Sequence, residues 1–137
     1  MEGIKVVIDT SVWVSIVRNR EVNTFIRNIT MKNIKIFVCG ELIDELFDVL
    51  YRPKHYKTHN KEIEVFFDEI EKVPNYVSIK FQRKFNDCRD PADNYLFDLA
   101  IQSQADYLVS GDDDVLDVKI NPPPQIISFT EFREMFF

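Results

Sequence analysis

The fold is decided by the stretch DPADNYLFDLA, residues 90–100, together with ADYLVSGDDD, residues 105–114. Pro91 suits the first turn of a helix, because the N–H that proline lacks has no partner there, and nearby carboxylates favour the positive end of the helix dipole. Apolar residues then recur at helical spacing, at Leu96, Leu99 and Ala100. The stretch therefore predicts a helix with one buried face and with Asp93 at its mouth.

The second part of this unit predicts a strand and a turn. Residues 107–109, YLV, are too short and too apolar for anything but a buried strand, and Gly111 allows a sharp turn into Asp112. Asp112 is therefore expected just beyond the carboxyl end of a strand, where open α/β sheets place their sites.

Segments typical of strands alternate with segments typical of helices along the rest of the chain. Strands are predicted at residues 4–8, 34–38, 76–79, 107–109 and 125–128. Pro53 is expected to end a helix over residues 41–51, Asn60 to cap the next helix, and Pro74 to stop it; Thr130 is a candidate cap for a terminal helix. The pattern predicts an α/β fold, a three-layer α/β/α sandwich with a central, mostly parallel sheet, in a single domain over residues 1–137.

The composition limits the classes of function. No apolar run approaches the roughly 20 residues of a membrane helix, and no basic region precedes a long apolar one at the start, so we expect a cytoplasmic protein that does not insert into membranes. The net charge of −6 argues against passive binding of nucleic acid. Binding remains possible if divalent cations neutralise the acids in one pocket while basic clusters elsewhere hold the phosphate backbone. Such clusters combine Arg18 with Arg20, Arg52 with Lys54 and Lys57, and Lys80 with Arg83, Lys84 and Arg89. For any one cluster taken alone, an ordinary solvated surface is the favoured interpretation.

Four acidic residues stand at positions that suit a shared site. Asp9 directly follows the first predicted strand, Asp93 and Asp112 lie at the junctions described above, and Glu45 points along the edge of an apolar helix stripe, where a carboxylate needs a partner or a cation. If the four converge, their repulsion favours hard divalent cations with oxygen ligands. Mg²⁺ or Mn²⁺ fits better than Zn²⁺, since no Cys or His is near in sequence. Such ions activate water for in-line phosphoryl displacement.

Simpler interpretations stand beside this one. A single Asp after a strand is commonly a helix cap. Asp114 supplements a metal site or lies in a solvated turn, and Asp98 is expected to face water. His55 and His59, four residues apart, are interpreted as surface residues because they follow a helix-ending proline and lack a nearby carboxylate.

Four motifs in a fixed order resemble a known family. They are VIDTSV at residues 7–12, ELIDEL with VLYRP at residues 41–46 and 49–53, DPADN at residues 90–94, and ADYLVSGD at residues 105–112. Together they resemble the PIN-domain family, and more narrowly its toxin branch from bacterial and archaeal toxin–antitoxin systems. The resemblance runs from about Val6 to Val115, and residues 126–132 are similar to the closing strand and helix.

The resemblance implies an acidic metal-binding quartet of Asp9, Glu45, Asp93 and Asp112, with Asp114 as an added acid. It implies that hydroxyls of Thr10, Ser11 and Ser110 assist the quartet. It further implies an endoribonuclease that depends on Mg²⁺ or Mn²⁺, is commonly a homodimer, and is silenced by an antitoxin protein that covers the site. Separately from the resemblance, the basic clusters described above supply the residues assigned to RNA binding, which are Arg18, Arg20, Arg52 and Lys54. The sequence departs from the usual pattern of the family at two positions. Ser110 stands where the family usually has a threonine and keeps the hydroxyl, while Asp113 adds negative charge where the family often has a basic or polar residue.

Two rival functions remain. In an aspartyl-phosphate phosphotransferase or receiver-like domain Asp9 would be the nucleophile, but Ser11 stands where haloacid-dehalogenase-type phosphatases have a second Asp. A PIN-like binding module without activity would fit the acidic composition and the Phe-rich C-terminal segment.

Overall fold

A computed structural model describes residues 3–73 and 75–137, so Pro74, the predicted helix stop, lies outside the described residues. The strands in this part of the chain are β1 (Lys5–Ile8), β2 (Lys35–Val38), β3 (Tyr76–Ser78), β4 (Tyr107–Val109) and β5 (Gln125–Ile127). The helices are α1 (Thr10–Arg18), α2 (Val22–Met31), α3 (Gly40–Leu50), α4 (Pro53–Ile70), α5 (Asn94–Gln102), α6 (Asp113–Leu116) and α7 (Phe129–Phe136). A short 3₁₀ helix, Pro91–Asp93, leads into α5.

The five strands form one sheet in the order β3-β2-β1-β4-β5, and every neighbouring pair is parallel. The predicted α/β/α sandwich with a mostly parallel sheet is confirmed, and the observed sheet is parallel throughout. The chain moves from β1 to β2 on one side and later returns to β4 on the other. The carboxyl ends of β1 and β4 therefore flank the point where the strand order reverses, which is where α/β sheets hold ligands.

The hydrophobic core lies around the central strand. Val6, Val7 and Ile8 of β1 are completely buried, as a strand covered on both faces requires. The apolar stripe predicted for α5 is buried as well, at Leu96, Leu99 and Ala100. This packing fixes the amino end of α5, and with it Asp93, relative to the ends of β1 and β4.

The predicted role of Pro53 is wrong. Helix α3 ends at Leu50, and Pro53 begins α4 as its first residue, a position that tolerates proline because the missing N–H has no acceptor there. The prediction of a further helix that starts near Asn60 is close to the structure, because α4 consists of two helices that meet at a kink at His59 (φ −123°, ψ 23°). His59, and not Asn60, is the non-helical residue before the second helix. Because α4 begins at Pro53, His55, expected at the surface, lies in its first turn and is buried.

Two smaller expectations also fail. Asp98 does not face water: it is 3% exposed, and its carboxylate accepts hydrogen bonds from the backbone N–H groups of Lys84 and Phe85. The terminal helix is capped by Ser128, which forms a capping box with Glu131, and not by Thr130. Among the described residues, no helix is long and apolar enough to cross a membrane.

Candidate active site

A cavity of about 400 Å³ opens at the carboxyl edge of the sheet, beside the ends of β1 and β4. The two strand ends are tied together by a hydrogen bond from the backbone N–H of Asp9 to the carbonyl of Val109, 2.9 Å long. The cavity is lined by all four acids of the predicted quartet: Asp9, Glu45, Asp93 and Asp112. Residues from separate parts of the chain thus share one cavity, while their role as metal ligands stays a prediction.

Asp9 is held by a serine rather than used as a helix cap. It is 5% exposed, its carboxylate makes no capping bond to α1, and its Oδ2 accepts a hydrogen bond of 2.7 Å from the hydroxyl of Ser110. Ser110 is completely buried, and its Oγ also accepts a bond of 3.0 Å from the backbone N–H of Asp112. Burial raises the pKa of Asp9 to about 6; the Ser110 bond lowers this pKa, and the charges of Glu45 and Asp112 add to the rise.

Asp93 has the least satisfied carboxylate of the four. It occupies the N-cap position of α5 without a capping bond from its side chain. Its Oδ2 is buried and has no hydrogen-bond partner within residues 3–73 and 75–137. Burial, followed by the charges of Asp9, Asp90 and Asp112, raises the pKa of Asp93 to about 7. A buried carboxylate oxygen without a donor is costly, which favours protonation or a bound cation.

The other two acids of the quartet already have partners. Asp112 caps the short helix α6, because its Oδ1 accepts a bond of 2.9 Å from the backbone N–H of Asp114. Glu45 accepts a bond of 2.8 Å from the hydroxyl of Tyr95, a residue that is only 3% exposed. Burial and the neighbouring Glu45 charge raise the pKa of Tyr95. The guanidinium of Arg83 lies 5.9 Å from the centre of the Tyr95 ring and pairs with Glu41, one helical turn before Glu45.

The remaining acid and the hydroxyl residues divide between the cavity and its surroundings. Thr10 and Ser11 line the cavity, and Ser11 Oγ accepts a weak bond of 3.4 Å from the N–H of Gly111. Asp114 is not among the lining residues; its Oδ1 lies 3.0 Å from Nε of Arg89 in a salt bridge. Asp114 therefore forms an ion pair beside the cavity and does not line it.

Basic residues occupy the side of the cavity formed by α1 and α4. Arg18 and Lys54 line it, while Arg20 points elsewhere and pairs with Glu62 at 3.4 Å. Arg52 precedes α4 as its N-cap residue.

His55 lines the same side of the cavity and was missed by the sequence analysis. Burial lowers the pKa of His55, and electrostatic repulsion from Lys54, Arg18, His59 and Arg52 lowers it further. The signal that could have revealed it is the position of Pro53, which suits the start of a helix as well as an interruption. Three of the four residues assigned to RNA binding are therefore grouped around one histidine.

The carboxylates fit a hard divalent cation in their chemistry, but they do not form a closed ligand shell. All donors are oxygens, which Mg²⁺ and Mn²⁺ prefer, and one of them is buried without a partner. Within the described part of the chain, however, no three His, Cys, Asp or Glu side chains are arranged to hold an ion.

The fold and the cavity define an α/β/α domain with an acidic site at the carboxyl edge of a parallel sheet. A family model described as the PIN domain matches residues 5–114, so the chain belongs to the PIN-domain family. Comparison with curated proteins and comparison with solved structures gave no match. PIN domains are generally nucleases, and membership supports hydrolysis of nucleic acid as the activity.

Proposed function

We propose that this chain is a single-domain endoribonuclease that hydrolyses RNA phosphodiester bonds with Mg²⁺ or Mn²⁺. The observation that carries the proposal is the shared cavity of Asp9, Glu45, Asp93 and Asp112, in which burial and mutual repulsion raise the pKa of two carboxyls to about 6 and about 7. Groups with pKa values perturbed by burial and by specific neighbours are typical of functional sites. A divalent cation would relieve this repulsion and would keep the carboxylates ionised at neutral pH.

Each residue has a distinct task in this proposal. Asp9, Asp93 and Asp112 hold the ion, and Glu45 holds a second ion or orients the attacking water. When bound, the ions supply Lewis-acid stabilisation of the phosphate and a water of lowered pKa. Ser110 keeps Asp9 and the loop of Asp112 at a fixed separation through its two hydrogen bonds. In-line attack leaves a 5′-phosphate and a 3′-hydroxyl.

The experiment is cleavage of a pool of RNA by the purified protein with Mn²⁺, followed by analysis of the new ends. We expect 5′-phosphate and 3′-hydroxyl ends from the wild type and no cleavage by Asp93→Asn. Asp44→Asn, which removes an exposed carboxylate of α3 outside the cavity, is the matched control and keeps full activity. Cyclic or 3′-phosphate ends would contradict the proposed chemistry.

The same experiment separates the rival functions. Tight binding of a partner without cleavage of any RNA would favour the inactive binding module. A stable acyl-phosphate on Asp9 after incubation with acetyl phosphate would favour the phosphotransferase, because that chemistry makes Asp9 a nucleophile.

We further propose that the chain is the toxin of a toxin–antitoxin pair and forms a homodimer. The support is the four-motif resemblance to the toxin branch together with PIN-domain membership. Expression of the wild type is expected to arrest bacterial growth, Asp93→Asn to leave growth normal, and a protein encoded beside this gene to restore growth by covering the cavity. Normal growth with active wild-type enzyme present would contradict the toxin assignment while leaving the nuclease assignment intact.

A further inference from the structure

Two of the four acids in the cavity stand at the starts of helices. Asp93 is the N-cap residue of α5, and Asp112 is the N-cap residue of α6. Helix α6 has only four residues, and such short helices are unstable unless contacts outside the helix hold them. Val115, which is completely buried, holds one side of α6 against the core. The position of Asp112 therefore depends on what holds the exposed side of this turn.

Arg89, in the irregular segment before α5, binds the exposed side of α6. Its Nη2 donates a hydrogen bond of 3.1 Å to the carbonyl oxygen of Asp113 and lies 2.8 Å from Oδ2 of Asp117. Its Nε lies 3.0 Å from Oδ1 of Asp114. A single exposed ion pair contributes little to stability. The planar guanidinium of Arg89, however, binds three groups of one turn at once, which fixes their geometry as well as balancing their charge.

Cys88, the residue before Arg89, connects α6 to the start of α5. Its backbone N–H donates a hydrogen bond of 3.0 Å to Oδ1 of Asn94, the first residue of α5. Its buried thiol lies 3.4 Å from the carbonyl oxygen of Asp114. Residues 88–89 thus contact α6 on one side and the residue next to Asp93 on the other, which ties the starts of the two helices together.

The contact of Arg89 reaches the Asp112 carboxylate through one peptide group. The carbonyl of Asp113 and the N–H of Asp114 belong to the same peptide group, which is planar. Arg89 binds the carbonyl at one end of this group, and the N–H at the other end donates a bond of 2.9 Å to Oδ1 of Asp112. A fixed carbonyl therefore fixes the direction in which this N–H holds the Asp112 carboxylate.

We propose that Arg89 is a positioning residue for the acidic cavity, which orients the carboxylate of Asp112 relative to Asp93 by holding the peptide group between residues 113 and 114. The inference rests on the proposed function, in which Asp93 and Asp112 bind a divalent cation. It also gives Arg89 a role different from RNA binding, the role that its place in a basic cluster suggests. Its guanidinium is already engaged by three groups of residues 113–117.

The sign of the change in metal affinity separates positioning from a simple effect of charge. Removing a positive charge beside four acids would by itself strengthen the binding of a cation, whereas loss of positioning weakens it. Mn²⁺ is titrated by calorimetry into Arg89→Gln at a temperature where circular dichroism shows the variant to be folded. We expect affinity about 10-fold lower than in the wild type, the lower end of the range for groups that orient metal ligands.

Two further variants complete the titration. Arg89→Lys keeps the charge but lacks the planar fork, so we expect an affinity between those of the wild type and Arg89→Gln. Arg133→Gln is the matched control, because it removes an ion pair with Glu21 on α7, outside the cavity, and keeps the wild-type affinity.

Hydrogen exchange tests the same contact in the protein without metal. The amide hydrogen of Asp114 is followed by NMR in EDTA, since it belongs to the peptide group that Arg89 holds. We expect faster exchange at Asp114 in Arg89→Gln, and wild-type exchange there in Arg133→Gln. Amides of β1 serve as an internal reference for global stability and keep their wild-type rates in both variants.

The outcomes separate this inference from the proposed function. If the wild type binds Mn²⁺ and Arg89→Gln binds it equally or more tightly, the positioning role is wrong and the proposed function stands. Wild-type affinity in Arg89→Lys would also overturn the positioning role, because charge alone would then be sufficient. If the wild type binds no Mn²⁺, the proposed function is wrong. The exchange rate at Asp114 then decides alone, and an unchanged rate in Arg89→Gln would overturn the positioning of Asp112 as well.

Discussion

Replacing Asp9 with asparagine should stabilise the metal-free protein. Asp9 is 5% exposed, and its pKa rises from 3.8 to about 6, so the ionised carboxylate is disfavoured in the folded state. At 1.36 kcal/mol for each pKa unit this corresponds to about 3 kcal/mol at neutral pH, as an upper bound. Asparagine removes the charge and keeps an oxygen that accepts the Ser110 hydroxyl. We therefore expect Asp9→Asn to raise the free energy of unfolding by about 1 to 3 kcal/mol.

The pH dependence of this gain identifies its cause. Because the folded-state pKa of Asp9 is raised, the folded protein keeps a proton that the unfolded chain releases between about pH 4 and pH 6. The cost of ionised Asp9 is absent below about pH 4 and complete above about pH 7. Urea unfolding in EDTA should therefore show the full increase in the free energy of unfolding of Asp9→Asn over wild type at pH 7.5, and almost no increase at pH 4.

The matched control is Asp44→Asn, which removes an exposed carboxylate and should change stability little at either pH. Without metal, Asp9→Asn is expected to be the more stable protein at pH 7.5. Adding Mn²⁺ should make the wild type the more stable one, because the wild type gains free energy of metal binding that Asp9→Asn lacks. Two results would refute the claim that the ionised Asp9 carboxylate destabilises the folded protein. One is an Asp9→Asn variant that is less stable than wild type in EDTA at pH 7.5, and the other is an equal increase in the free energy of unfolding at both pH values.

Three further substitutions test the groups that hold the cavity. Ser110→Ala removes the hydroxyl that lowers the pKa of Asp9 and should weaken Mn²⁺ binding about 10-fold in calorimetry; unchanged affinity would contradict this role. Tyr95→Phe removes the 2.8 Å bond to Glu45 and should lower kcat with little change in KM. If the losses in kcat from Tyr95→Phe and Glu45→Gln add up in the double variant, Tyr95 does not act through Glu45. Asp98→Asn weakens the acceptor for the backbone of residues 84–85 and should cost about 1 to 3 kcal/mol of stability and speed hydrogen exchange there; wild-type exchange rates would contradict it.

Much of the fold was predictable because its strands are short, apolar and separated by helical patterns. Residues 107–109 could hardly be anything but a buried strand, and the burial of α5 followed from apolar spacing. The convergence of the acids also had a local basis, since strand ends and helix starts meet at one edge of a parallel sheet. Sequence could not decide which of the acids cap a helix. Asp112 caps α6, whereas the side chains of Asp9 and Asp93 do not cap α1 and α5.

The failures share one physical cause, which is contact between residues distant in sequence. Proline ends one helix or begins another, and only the path of the chain after Leu50 decided that Pro53 opens α4. Asp98 looked like a solvated position, but the irregular segment before α5 folds over it and uses its carboxylate as an acceptor. The partnership of Tyr95 with Glu45 spans 50 residues and leaves no local pattern.

The central claim is that the acids of this cavity form a site for a divalent cation. Titration of Mn²⁺ into the purified protein by calorimetry tests it most directly and needs no knowledge of the RNA target. Asp93→Asn is the decisive variant, because Asp93 has the buried carboxylate oxygen without a partner. We predict saturable binding by the wild type and none by Asp93→Asn. Equal binding by both proteins, or binding by neither, would contradict the claim.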